Sequence, residues 1–97
     1  MNISIIRQAC CYQDDQIGPL HIVIELTDAS TIKELATIIV ESKFLQFSST
    51  NSLLEAHSGE IMLLTISSTN KVNYLVNESD IALLHIKKNE VKFVWPK

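Results

Sequence analysis

The chain is poor in the residues that let a backbone bend sharply. Its 97 residues hold two glycines, Gly18 and Gly59, and two prolines, Pro19 and Pro96. Loops that cradle phosphates and dinucleotide fingerprints need closely spaced glycines, so the sequence argues against both. Asparagine, serine and aspartate must then make most of the turns. Arginine occurs once, at Arg7, and the net charge is −3. Nucleic-acid binders gather lysine and arginine on one face, so direct nucleic-acid binding is not expected. No apolar run reaches the ~18 residues that span a bilayer. The opening MNISIIRQ lacks the basic start, long apolar stretch and cleavage site of a signal peptide. The expectation is a cytoplasmic protein with no membrane partner. Also missing are a CxxC or HxxxH pair for a metal and a GxSxG elbow for a serine nucleophile. No metal, cofactor or catalytic activity is expected.

What is present suits one globular domain over residues 1–97, with 46% apolar and 20% charged residues. That apolar content is enough to build a core without disulfides. Residues 3–12 read as a strand, in which Ile5-Ile6 interrupts strict alternation as a bulge would. LHIVIEL, residues 20–26, alternates: Leu20, Ile22, Ile24 and Leu26 share one face, and His21, Val23 and Glu25 share the other. Next, Thr31 and Glu34 fit a capping box, and Ile32, Leu35, Ala36 and Ile39 form an apolar stripe. The spacing predicts a helix from about 31 to 42. FLQF (44–47) is a candidate short strand, and SSTNSLLEAHSG is ambiguous. IMLLTIS (61–67) suits a strand covered on both faces, and VNYLV (72–76) another. Residues 79–84 fit either a one- to two-turn helix or a strand. The final strand is VKFVW, with Val91, Phe93 and Trp95 on one side.

Charge is unevenly distributed. From Cys10 to Glu41 there are six acids (Asp14, Asp15, Glu25, Asp28, Glu34 and Glu41) against Lys33 alone. From His85 onward there are four lysines, Lys87, Lys88, Lys92 and Lys97, against Glu90. An acidic surface of this kind steers a basic protein partner. Lys87 and Lys88 read as a solvated turn or as edge-strand protection.

The stretch CCYQDD, residues 10–15, collects the most reactive residue types. Neighbouring cysteines in a strand point to opposite faces, and joining them would distort the peptide. A reducing compartment disfavours the disulfide as well. The reading is a strand end that feeds a turn. Asp14 and Asp15 then serve turn chemistry or form an exposed acidic knob. His21 lies on the polar face of its strand, His57 in a loop and His85 beside apolar neighbours; nothing in their spacing brings them together.

At LHIVIELTDASTIKELATIIVE the chain resembles the opening of a ubiquitin-like β-grasp domain. The shared features are a hairpin whose second strand alternates and an acidic-capped T-I helix start, over about a quarter of the chain. The sequence given ends in WPK and not in the Gly-Gly that ubiquitin-like modifiers conjugate, so a modifier role is not expected. As a whole, the chain is similar to the small bacterial immunity proteins encoded beside contact-dependent growth-inhibition and other polymorphic toxins. The likeness lies in its single α+β domain, its acidic half (YQDDQIGP through IVES) and its lack of catalytic motifs. The β-grasp likeness implies a two-layer α+β domain, with an N-terminal hairpin and then one main helix on a mixed or antiparallel sheet of four to five strands. The immunity likeness implies that the chain neutralises a cognate toxin; the uneven charge makes Asp14, Asp15, Glu25, Asp28, Glu34 and Glu41 the side expected to meet a basic surface of that toxin. The alternative is a β-grasp-like adaptor or a self-associating subunit, with a homodimer as one form.

Overall fold

The computed structural model describes residues 1–8, 20–47 and 52–96. Its strands are β1 (Asn2–Arg7), β2 (His21–Glu25), β3 (Leu53–Ser58), β4 (Ile61–Ser67), β5 (Val72–Tyr74) and β6 (Glu90–Val94). One helix, α1 (Ile32–Ser42), follows β2, and a short 3₁₀ turn (Ala82–Leu84) precedes β6. The architecture is α+β. The six strands form one mixed sheet in the order β2-β1-β6-β3-β4-β5. Only β1 and β6 run parallel; the other neighbouring pairs are antiparallel.

The expected sheet of four to five strands is thus corrected to six. The ambiguous segment before Gly59 is a strand, β3, and it pairs with both β4 and β6. Gly59 makes this possible: at φ +62° it opens a two-residue turn, which suits the tight connection of a hairpin. FLQF is not a strand. Phe44 is buried in the core, and its ring lies 5.3 Å from the Arg7 guanidinium carbon. Phe47 meets the Trp95 ring edge-on at 6.3 Å.

Helix α1 forms where the stripe predicts. Thr31 is extended, and its hydroxyl accepts the Glu34 N–H at 3.2 Å, which satisfies one of the orphan amides of the first turn. Lys43 closes the other end in the left-handed region, its N–H bonded to the Val40 carbonyl at 3.2 Å. Ile32, Leu35, Ala36 and Ile39 are buried against the sheet. They meet Ile3 and Ile5 of β1, Leu54 and Ala56 of β3, and Val91 and Phe93 of β6 in one core.

Two sequence expectations fail for the same reason, a misjudged alternation. Ile5-Ile6 marks no bulge, because β1 keeps an unbroken register on both sides. Ile5 faces the helix, and Ile6 faces away from it, half-buried. The apolar run of β4 is not covered on both faces either. A register shift opposite Ala56/His57 puts both Leu63 and Leu64 into the core, and the neighbouring residues stay partly exposed. Strand β5 stops at Tyr74, short of the end of VNYLV, although the Leu75 N–H still donates to the Leu63 carbonyl of β4 at 2.9 Å. Among the described residues, nothing covers the sheet face opposite α1.

Candidate functional site

The β2–α1 connection gathers acidic side chains at one end of the domain. Glu25 ends β2, Asp28 lies in the following turn, and Glu34 sits in the first turn of α1; all three are exposed. The turn is built by Ser30, buried, whose Oγ accepts the Thr27 N–H at 2.9 Å. A distant segment reaches the same end. The Ile32 N–H donates to the Asp80 carbonyl and the Lys33 N–H to the Glu78 carbonyl, both at 2.9 Å. The Ala82 N–H donates to the Ser30 carbonyl at 2.8 Å. Glu78 and Asp80 therefore belong with Asp28 and Glu34, although more than forty residues separate them in the chain. Asp80 is engaged, its Oδ2 2.9 Å from His85 Nε2. Glu25, Asp28, Glu34 and Glu78 have no ion-pair partner among the described residues.

Glu41 stands apart. It follows Glu34 by seven residues, two turns or about 10 Å along the helix. There it rims a shallow groove between α1 and the β4–β5 side of the sheet. Ala36, Val40, Val72 and Tyr74 supply the apolar part of that groove, which holds about 230 Å³. Burial, and secondarily the charge of Glu78, raises the Tyr74 phenol above its ordinary 10.0. Asp14 and Asp15 lie outside the described residues, as do Cys10, Cys11 and Tyr12.

The lysines of the last strand and of the turn before it gather as well. Lys87, Lys88 and Lys92, with His57, Gly59 and Glu90, line a cleft of about 220 Å³. Its wall is the turn Lys87–Glu90, in which Lys88 (φ +54°) and Asn89 (φ +55°) are both left-handed, the geometry of a type I′ turn. Ser58 fastens that turn to β3. Its buried Oγ accepts the Lys87 N–H at 2.6 Å and donates to the Glu90 carbonyl at 2.7 Å. Within the cleft Lys92 Nζ is 3.6 Å from Glu90, and His57 Nε2 lies 3.1 Å from the neighbouring Glu55 carboxylate.

His57 is thus on a strand and not in the loop expected for it. Register aligns His21, Ile6, Lys92 and His57 across the sheet face opposite α1, in four consecutive strands. Three strand spacings, about 14 Å, separate the two histidines. His85 belongs to the acidic end, paired with Asp80. Sequence reasoning missed Glu78, whose place depends on a bridge between Thr31 and Ile81 that no local pattern announces. It also missed Arg7, buried at the end of β1 under Phe44. The visible signal for Arg7 was its place in the Ile3–Ile5–Arg7 alternation.

Compared with known proteins, the chain matches no family model, no curated protein and no solved structure.

Proposed function

We propose that this domain is a protein-binding module that neutralises a cognate bacterial toxin in the cytoplasm by occupying a basic surface. The observation that supports this reading is the set of exposed carboxylates around the start of α1. Asp28, Glu34 and Glu78, with Glu25 beside them, are held on three different segments, and no described cation neutralises them. Charges placed so raise the rate of encounter with a basic partner and penalise wrong ones, and a few buried anchors supply most of the affinity. The groove beside Glu41 offers such anchors a place, with Tyr74 and Val40 in its lining. Blocking the toxin's active surface needs no chemistry from the domain itself.

The fold, in this reading, is β-grasp-like. An opening hairpin, a helix crossing one sheet face and a parallel β1–β6 pair at the centre are the features that support it.

The test pairs the chain with the toxin encoded beside it. Association is expected to slow as salt rises, and Asp28→Lys with Glu34→Lys is expected to cut the association rate by about tenfold or more. The thermal midpoint serves as the control for folding. A variant that associates at the wild-type rate and still protects cells would sink the acidic-end reading.

A further inference from the structure

Among the described residues, strand β2 forms one edge of the sheet, and its hydrogen-bonding groups can be assigned to sides. Met1 and Leu26 exchange both bonds: the Met1 amine donates to the Leu26 carbonyl at 2.7 Å, and the Leu26 N–H donates to the Met1 carbonyl at 2.9 Å. Further along, the Arg7 N–H donates to the Leu20 carbonyl at 3.0 Å. Antiparallel ladders alternate bonded and non-bonded pairs. Ile22 and Ile24 therefore bond to β1, and the N–H and C=O groups of His21, Val23 and Glu25 point out of the sheet. The Ser4 N–H confirms the alternation from the other side, since it turns away from Val23 to bond the Asn89 carbonyl at 2.9 Å.

Sheet edges are commonly shielded by lysine, proline, a bulge or short length. The other edge, β5, is three residues long, with Lys71 just before it. Strand β2 has five residues, an unbroken register and no lysine or proline. Val23, at its centre, is 56% exposed.

We propose that β2 pairs antiparallel with β2 of a second copy of this chain, about a two-fold axis at Val23. The sequence HIVIE is self-complementary in that register. Val23 meets its own counterpart, and His21 meets Glu25 of the second copy twice over, with the imidazole donating to the carboxylate. All three pairs are of the bonded kind, so the outward groups of both strands satisfy one another. On the other face, half-buried Ile22 lies beside Ile24 of the second copy, which extends the core across the junction. A two-fold interface needs such matching of a patch with itself. The footprint is small, well below the ~1,200 Å² of a standard interface, so the dimer is concentration-dependent. This inference does not rest on toxin binding: Asp28, Glu34 and Glu78 lie outside the paired strand, and Glu25 alone is shared with the acidic end.

Light scattering coupled to size exclusion, over a rising series of protein concentrations, tests it. The mass is expected to move from 10.9 kDa towards twice that value. Val23→Pro removes a donor that the β1–β2 ladder does not use, as edge prolines do, and is expected to leave a monomer. Glu25→Lys, on an exposed side chain, removes the acceptor from both His21 contacts and sets a lysine beside each imidazole. It is expected to weaken the dimer about 30-fold, or about 2 kcal/mol at 1.4 kcal/mol per tenfold. The double variant H21E/E25K, which gives each lysine a carboxylate across the junction, is expected to dimerise again. A wild-type chain that stays monomeric throughout overturns the proposal. So does a dimer that Glu25→Lys leaves intact, or one that the double variant fails to restore.

Discussion

Replacing Ser58 by alanine removes the one hydroxyl that ties the end of β3 to the Lys87–Glu90 turn. Two bonds go at once, the Lys87 N–H donation at 2.6 Å and the bond to the Glu90 carbonyl at 2.7 Å. A typical hydrogen bond contributes about 1 kcal/mol net, and a buried polar group left unpaired costs about 1–3 kcal/mol. Ser58 is fully buried, but Lys87 is exposed, so water reaches part of the turn. The expected loss is therefore about 2–3 kcal/mol. Urea unfolding should show it as a midpoint lower by about 2 M, given a slope near 1–1.5 kcal/mol/M for a domain of this size. The thermal midpoint should fall by about 10–20 °C. Hydrogen exchange at Lys87 separates this cause from a general loosening: its amide should lose protection before the β3–β4 ladder does. A stability loss under about 0.5 kcal/mol, with Lys87 still protected, would refute the reasoning. The turn would then hold itself.

Two further predictions concern α1 and its groove. Thr31→Ala should cost about 1 kcal/mol in urea unfolding, with Thr31→Ser close to wild type, because the cap is the hydroxyl that accepts the Glu34 N–H; equal losses in the two variants would assign the effect to the methyl group. Tyr74 should make an alkaline contribution to unfolding, since its folded pKa is raised above 10.0 by burial and then by Glu78. That stability is complete below pH 10 and declines as pH rises towards the folded pKa, because the unfolded chain releases its proton first. Tyr74→Phe should lack this part of the decline, and identical alkaline profiles would contradict it.

Local chemistry made much of the fold legible. The alternation of LHIVIEL and the Thr31–Glu34 spacing placed β2 and α1, because each pattern is set by near neighbours and one buried face. Legibility failed wherever a distant segment decided. FLQF has strand-like composition, but no ladder partner among the described residues reaches it, and Phe44 packs on Arg7 instead. Leu63 and Leu64 read as burial on two faces when a register shift had turned both towards one. Residues 79–84 fitted helix or strand; the 3₁₀ turn at Ala82–Leu84 follows from the bonds of Ala82 to Ser30 and of Asp80 to Ile32. The same bonds bring Glu78 to the acidic end. The sequence showed the acids of residues 10–41 as one block, but Glu41 lies two turns away from Glu34 along the helix.

The parallel pairing of β1 with β6 also governs how the chain must assemble. Strand β6 lies between β1 and β3, so without it the sheet is two separate pieces, the β1–β2 hairpin and the β3–β4–β5 meander. Each piece closes through local contacts, but they join only when residues more than eighty positions apart meet. Loop closure over that span precedes the reward of burying Val91 and Phe93, so the β1–β6 pairing carries the largest entropic cost of closing the sheet. During synthesis the keystone arrives after both pieces. Until then, the edges of β1 and β3 that later flank it stand open, and those nascent edges are where a chaperone or a neighbouring chain would compete with correct folding.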